Sequence, residues 1–347
     1  MHVQRLKIVV VGAGSIGCHL GGHLAQEADV TLVGRPRITE AITAEGLTLT
    51  DLGGRTTHVG SCSIRVATEP SRVAEADVVL LTTKSGATAA AVAEMAPHLH
   101  QDSLIVSFQN GLANVDAAEG ALGELFPSGA ARPLVLVGMV PYNVVQTGPA
   151  TFEQATSGRL LVADHPRVDR LVHVAHRSGL DIGVHQDMRS VMQAKLLMNL
   201  NNALNALSGL PLRDQLMDRD SRHVLASCQE EALAVYRAAG VHPARITALP
   251  PIATPHVLRA PNPVFGVLAR RTLQVAPAAR SSMSDDLDQG RPTEIDNLQG
   301  AVISLGEKFG VPTPACRQIV SLVHEAEHAG PSRRRWTGRE LRNAVRV

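Results

Sequence analysis

Hydrophobic positions along this chain follow two patterns, and the change falls near residue 187. Before it, short apolar runs alternate with amphipathic stretches. Residues 7–11 (KIVVV), 77–83 (DVVLLTT) and 103–108 are almost continuously aliphatic, as strands covered on both faces must be. Further strands are predicted at 30–33, 134–140, 151–154, 160–162 and 181–184. Three short ones, at 46–50, 55–59 and 64–67, are separated by glycine-bearing turns. Helical periodicity is predicted over 16–28, 87–98, 115–126 and 167–178.

After residue 187 the strand signal stops. Residues 188–208 read as one long helix without proline, ended by Gly209 and Pro211. Residues 219–239 form a second helical pattern, closed by Gly240. A proline-rich stretch, 243–263, reads as broken, and helices are predicted at 263–273, 281–289, 294–309 and 314–329. The expected organisation is an α/β domain over 1–187, an all-helical domain over 188–335 and a basic tail over 336–347.

Composition narrows the partners. The net charge is +1, so no global field draws in nucleic acid or a membrane surface. Aromatics make up 2% of the chain, too few for a base-stacking face. Arg333, Arg334, Arg335, Arg339 and Arg342 read as a solvated tail. The cysteines, 18, 62, 228 and 316, form no metal-ligand spacing and no disulfide framework, so no metal and a reducing, cytoplasmic location are expected. No secretory signal or membrane-spanning run is expected either.

Gly12-Ala13-Gly14-Ser15-Ile16-Gly17 is a GxGxxG between a strand and a helix. In that context the first glycine makes the tight turn, the second admits a pyrophosphate to the backbone, and the third packs helix on strand. The helix N-terminus then offers N–H groups and a positive dipole end to phosphate. This predicts a Rossmann dinucleotide-binding start. The second strand ends in Val33-Gly34-Arg35-Pro36-Arg37, without the acid that binds ribose hydroxyls. Arg35 can instead pair with a 2′-phosphate, which points to NADP(H).

The 188–208 helix carries Lys195, Asn199, Asn201, Asn202 and Asn205 among apolar neighbours. Lys195, Asn199 and Asn202 fall on one stripe at 100° per residue. Amides are poor mid-helix residues. The stripe therefore reads either as a polar face lining a cleft, with Lys195 as a proton donor of lowered pKa, or as the exposed face of an amphipathic helix.

Taken in order, these motifs resemble the ketopantoate reductase (2-dehydropantoate 2-reductase) family. The resemblance covers nearly the whole chain. It rests on Gly12–Gly17, on Lys84 within Thr82-Thr83-Lys84-Ser85 and on Gln109-Asn110-Gly111. The helix from Lys195 to Leu207 and the pair Ser281-Ser282-Met283 with Arg291-Pro-Thr-Glu-Ile-Asp296 complete it. It implies a helical domain like that of 6-phosphogluconate dehydrogenase and hydride transfer from NADPH to a 2-keto acid across an interdomain cleft. The implied reaction is ketopantoate to pantoate, in pantothenate biosynthesis. In that likeness Lys195 is the general acid and Glu294 binds the substrate hydroxyl. Asn110, Asn199, Asn202 and Ser282 hold substrate, and Lys84 and Asn110 touch cofactor. A homodimer is compatible with it. A paralogue reducing another 2-keto acid, or an NADP sensor without catalysis, are the competing readings.

The chain departs from the family pattern in two places. Ala203 stands where a second helix asparagine is expected, leaving Asn202 or Asn205 to replace it. Tyr142-Asn143 replaces a small polar segment and is expected to face the cleft. Helix-start chemistry, with Thr293 and Ser282 as N-caps, is the structural alternative for the last motif.

Overall fold

The computed structural model describes residues 5–126, 131–269 and 279–346. The chain divides into two compact units, Met1–Met188 and Arg189–Val347.

The first unit is built on twelve strands: β1 (Lys7–Val11), β2 (Asp29–Val33), β3 (Leu47–Thr50), β4 (Thr56–Val59), β5 (Arg65–Ala67), β6 (Val78–Leu81), β7 (Leu104–Ser107), β8 (Leu134–Met139), β9 (Val144–Gly148), β10 (Thr151–Gln154), β11 (Leu160–Ala163) and β12 (Ile182–His185). Eight of them form one sheet in the order β12-β11-β8-β7-β6-β1-β2-β5. From β5 to β8 every pairing is parallel; β11 joins β8 antiparallel. Read outward from β1, this is the doubly wound Rossmann order, with the reversal of winding at β1 and β6. The aliphatic runs explain it: Ile8, Val9, Val10 and Val11 are all buried, and so are Val78 to Leu81. Covering both faces of such strands stabilises them by roughly 1.5–3 kcal/mol per large side chain. The remaining four strands form a small sheet, β4-β3-β10-β9.

The helices of this unit are α1 (Ser15–Leu24), α2 (Pro36–Glu45), α3 (Thr88–Met95), α4 (Asn114–Gly123) and α5 (Asp169–Arg177). α2 and β9 were not among the predicted elements. Pro36 and Arg37 read as loop in sequence, yet proline suits the first helical turn, and Ile38 and Ile42 bury one face of α2.

The second unit is helical: α6 (Met188–Asn199), α7 (Asn201–Ser208), α8 (Leu212–Met217), α9 (Arg219–Ala238), α10 (Thr254–Arg259), α11 (Asn262–Leu268), α12 (Ser282–Asp288), α13 (Gln299–Phe309), α14 (Pro314–Ala329) and α15 (Gly338–Val345). Two expectations are corrected here. The predicted 188–208 helix is interrupted at Leu200. The basic C-terminal tail is instead an ordered segment. Thr337 and Glu340 form a capping box for α15, which packs against α9. Arg342 pairs with Asp220 on α9, and the Arg333 side chain is fully buried against Asp288 at 2.7 Å. Arg333 and Arg342 are thus tied into the fold, while Arg334, Arg335 and Arg339 remain exposed as expected. The last residues of the predicted 263–273 helix, together with residues 1–4 and 347, lie outside the described residues. No described helix is long and apolar enough to cross a membrane.

Candidate active site

In the first unit the candidate residues follow the carboxyl ends of four neighbouring parallel strands. The glycine loop follows β1, Arg35 follows β2, Lys84 follows β6 and Asn110 follows β7. This edge, at the reversal of winding, is where open α/β sheets bind ligands.

Each glycine of the loop has a separate reason. Gly12 has φ +109°, and a Cβ there would lie 2.6 Å from the Thr83 nitrogen. A Cβ on Gly17 would sit 2.2 Å from the Gly12 carbonyl oxygen, so only glycine lets α1 approach β1. Gly14 is different: its φ is −86°, and apart from its chain neighbours no atom of the described residues lies within 4 Å of a Cβ placed there. Nothing in the fold requires glycine at that position, while a phosphate lying against the N-terminus of α1 does. The loop therefore fits a dinucleotide. The backbone N–H groups of Gly12 and Ala13 are spent on the Val33 carbonyl at 3.0 and 3.1 Å. Arg35 is exposed, and its guanidinium makes no hydrogen bond or ion pair among the described residues.

The loops after β6 and β7 are tied to each other. Ser85, next to exposed Lys84, donates its hydroxyl to the Asn110 carbonyl at 2.5 Å, and the Asn114 amide donates to the same oxygen. Behind them the buried Gln109 amide nitrogen meets the Thr83 carbonyl at 2.9 Å and the Thr88 hydroxyl at 2.8 Å, while its oxygen accepts from Ser107 at 2.8 Å. Thr82 donates to the Gly12 carbonyl at 2.8 Å. Thr82 and Gln109 are thus positioning residues that sequence reasoning quoted within motifs without assigning a part. Their signal was polar side chains at the ends of buried strands.

In the second unit Lys195 and Asn199 lie one turn apart on α6. Lys195 is only 8% exposed. Burial pulls its ammonium down from 10.5 to about 8, and the Glu294 carboxylate acts in the opposite sense. The structure thus pairs these two residues across nearly a hundred positions of sequence. Glu294 is half-buried and stands before a single 3-10 turn, Ile295–Asn297, without capping it through its side chain; the Thr293 hydroxyl accepts from the Ile295 N–H at 3.2 Å instead. α13 itself begins at Gln299, later than expected.

The asparagines divide. Asn205 is completely buried: its nitrogen donates to the Leu210 carbonyl at 2.9 Å, and its oxygen accepts the Ser281 N–H at 2.9 Å. Both ends of its amide are held by the fold, so it is not a free substrate contact. Asn202 stays half-buried, and its backbone carbonyl accepts the Ser281 hydroxyl at 3.1 Å. Ser281, not Ser282, is the N-cap of α12, accepting from the Ser284 N–H. Ser282 is left exposed beside it. Ser281 thereby joins Asn202, Asn205 and the start of α12 into one polar cluster.

Tyr142 does not face outward. It is 6% exposed and meets buried His19 of α1 edge-on, with ring centroids 5.4 Å apart. Its ring is part of the core behind the cofactor helix, which corrects the expectation that it lines a cleft. Burial pushes the His19 imidazole down to about 3, so that ring is neutral.

Residues 8–167 match the ketopantoate reductase PanE/ApbA family, and residues 187–327 match the C-terminal region of the same family. The 2-dehydropantoate 2-reductase of Mesorhizobium japonicum is 28% identical over 92% of this chain and 97% of its own. That of Halobacterium salinarum is 29% identical over 94% of this chain and 100% of its own. Among solved structures, a PanE/ApbA family ketopantoate reductase from Ralstonia eutropha superposes with a TM-score of 0.78 at 28% identity, covering 93% and 99% of the two chains. A D-mandelate dehydrogenase bound to NADH and anilino(oxo)acetate reaches a TM-score of 0.76 at 20% identity over 93% and 99%, which shows a shared fold alone.

Proposed function

Because the chain belongs to the ketopantoate reductase family, oxidoreductases that act on a keto group with a nicotinamide dinucleotide, we propose that it is an NADPH-dependent reductase of 2-dehydropantoate. The observation that supports this reading most directly is the pairing of buried Lys195 with Glu294. A lysine whose ammonium titrates near 8 holds a proton at neutral pH and can yield it to an alkoxide as that charge develops.

The first unit binds the cofactor: Gly12, Ala13, Gly14, Ser15, Ile16 and Gly17 cradle the pyrophosphate, Arg35 pairs with the 2′-phosphate, and Lys84 and Asn110 flank the nicotinamide end. A bound nicotinamide dinucleotide supplies the hydride. In the second unit Lys195 protonates the substrate oxygen, and Glu294 holds the substrate hydroxyl and the ammonium of Lys195. Asn199, Asn202 and Ser282 hold the carbonyl and carboxylate of the acid. In this reading both proposed acid–base groups, Lys195 and Glu294, lie after residue 188, so cofactor binding and proton donation can be removed separately.

The fold does not choose the acid, since it also serves a D-mandelate dehydrogenase. Substrate assignment rests on the resemblance of the Lys195, Glu294 and Ser282 motifs and on relatives named 2-dehydropantoate 2-reductase at 28% and 29% identity. NADPH oxidation measured across a panel of 2-keto acids tests it. The expected result is the highest kcat/KM with 2-dehydropantoate. A higher value with another acid assigns the chain to a paralogous activity, and no oxidation with any acid removes the enzymatic reading.

A further inference from the structure

The predicted 188–208 helix parts at Leu200 into α6, which carries Lys195 and Asn199, and α7, which carries Asn202. Where a helix breaks without proline or glycine, a side chain reaching its backbone carbonyls is an established cause. Such a group is present. The side chain of Gln299 is completely buried and donates to the Leu200 carbonyl at 2.8 Å, from 99 residues away in sequence. A second buried glutamine, Gln229 on α9, donates to the Leu197 carbonyl at 3.0 Å. Each glutamine spends its amide nitrogen on a helix carbonyl while its buried oxygen has no hydrogen-bond partner among the described residues, a costly burial that filling space with an apolar side chain would avoid.

The two glutamines differ in what else they are attached to. Gln229 sits in the middle of α9, which bears none of the candidate site residues. Gln299 is the first residue of α13 and ends the segment that begins with Thr293 and Glu294. A single hydrogen bond thus ties the glutamate-bearing segment to the point where the lysine helix breaks. We propose that Gln299 is a positioning residue for proton donation: its bond to the Leu200 carbonyl, where the lysine-bearing helix ends, sets Glu294 against Lys195. This rests on Lys195 being the general acid.

The consequence has a sign. Glu294 raises the affinity of Lys195 for its proton, against the effect of burial. Among the described residues it is the charged group acting on that ammonium. If Glu294 drifts when the tie is cut, Lys195 loses its proton at lower pH. Gln299→Met keeps the volume and removes the donor. It is expected to lower kcat for reduction about tenfold or more, as small misplacements of catalytic groups do, to move the basic limb of the kcat profile to lower pH, and to leave NADPH affinity unchanged. Gln229→Met is the matched control, expected to lose stability without moving that limb. Should Gln299→Met fail to fold, Gln299→Asn, which retains the amide but shortens its reach, is read in the same way.

An unmoved basic limb in a folded Gln299 variant, or an equal displacement in Gln229→Met, overturns the inference. Lys195→Ala keeps the two readings apart. If it abolishes the limb while Gln299→Met leaves it in place, only the positioning role fails. If the limb survives in Lys195→Ala, the general acid itself is misassigned.

Discussion

The Thr82 hydroxyl donates to the Gly12 carbonyl at 2.8 Å, and that same carbonyl oxygen would lie 2.2 Å from a Cβ on Gly17. One oxygen therefore ties the loop after β1 to the end of β6 and fixes how closely α1 lies on the sheet. Gly14, in the same hexapeptide, has no such neighbour. The pair Gly17→Ala and Gly14→Ala separates folding from binding. Gly17→Ala is expected to destabilise the first unit by about 1–3 kcal/mol, as overpacking does. Gly14→Ala is expected to stay within about 0.5 kcal/mol of the parent in urea unfolding. In titration calorimetry its affinity for NADPH should fall about tenfold or more, equivalent to about 1.4 kcal/mol. An unfolded Gly14→Ala, or one that binds normally, removes Gly14 from the pyrophosphate site.

Arg35 tests the choice of cofactor. Its exposed guanidinium stands after β2, where an acid would otherwise read the ribose. Hydrogen bonds to charged groups are worth about 1.5–3 kcal/mol. Arg35→Ala should therefore raise the Kd for NADPH about tenfold or more and leave NADH little changed. Equal losses for both nucleotides, measured by fluorescence titration, show that Arg35 does not read a 2′-phosphate.

Lys195 predicts two pH dependences. Its folded value, about 8, lies below the ordinary 10.5 because the side chain is buried. For reduction the protonated form is the active one, so kcat should fall above about pH 8. Lys195→Ala should lower kcat by about 10²-fold and abolish that limb. The stability effect runs the other way. The unfolded chain binds this proton more tightly than the folded one, so protonating Lys195 opposes folding. Between about 8 and 10.5 stability should rise with pH relative to Lys195→Met, and the difference should be constant below that window. Urea unfolding of both chains from pH 7 to 10 measures it.

The fold was legible wherever the cause lay within a few residues. β1, the glycine loop and α1 follow from KIVVV and the two glycines that contacts require. The switch to helices near residue 187 follows from the loss of aliphatic runs. What stayed hidden depends on distant partners. The carbonyls of Leu197 and Leu200, beside the interruption of the long helix, are held by Gln229 and Gln299, and no local pattern marks them. Asn202 and Asn205 are chemically identical, and only Ser281 and Leu210 separate the half-buried amide from the fully engaged one. α2 was masked because Pro36 and Arg37 have loop-like side chains, although proline at a first turn starts a helix as readily as it ends one. Arg333 and Arg335 read as solvated because Asp288, their partner, is far off in sequence.

Asp288 leads to the last prediction. Arg280, Arg333 and Arg335 reach its carboxylate at 2.6, 2.7 and 2.8 Å. These guanidiniums hold its carboxyl well below the usual carboxylate range, against the opposing effect of burial. Asp288 ends α12, whose start carries Ser281 and Ser282, and Trp336 beyond the arginines donates its N–H to the Leu207 carbonyl of α7 at 3.0 Å. The carboxylate therefore joins the C-terminal segment to α12, and the Trp336 backbone N–H joins it to α7. Asp288→Asn leaves the Arg333 guanidinium buried without an opposing charge. The expected cost is about 3 kcal/mol, the low end for a broken buried pair because the Asp288 side chain is 30% exposed. A depressed carboxyl stabilises the fold above its unfolded value, about 3.9, and that contribution is lost as pH falls below it. The gap between parent and Asp288→Asn should therefore be full at pH 7 and shrink below about pH 4 in urea unfolding. A gap independent of pH would assign the loss to packing rather than to charge.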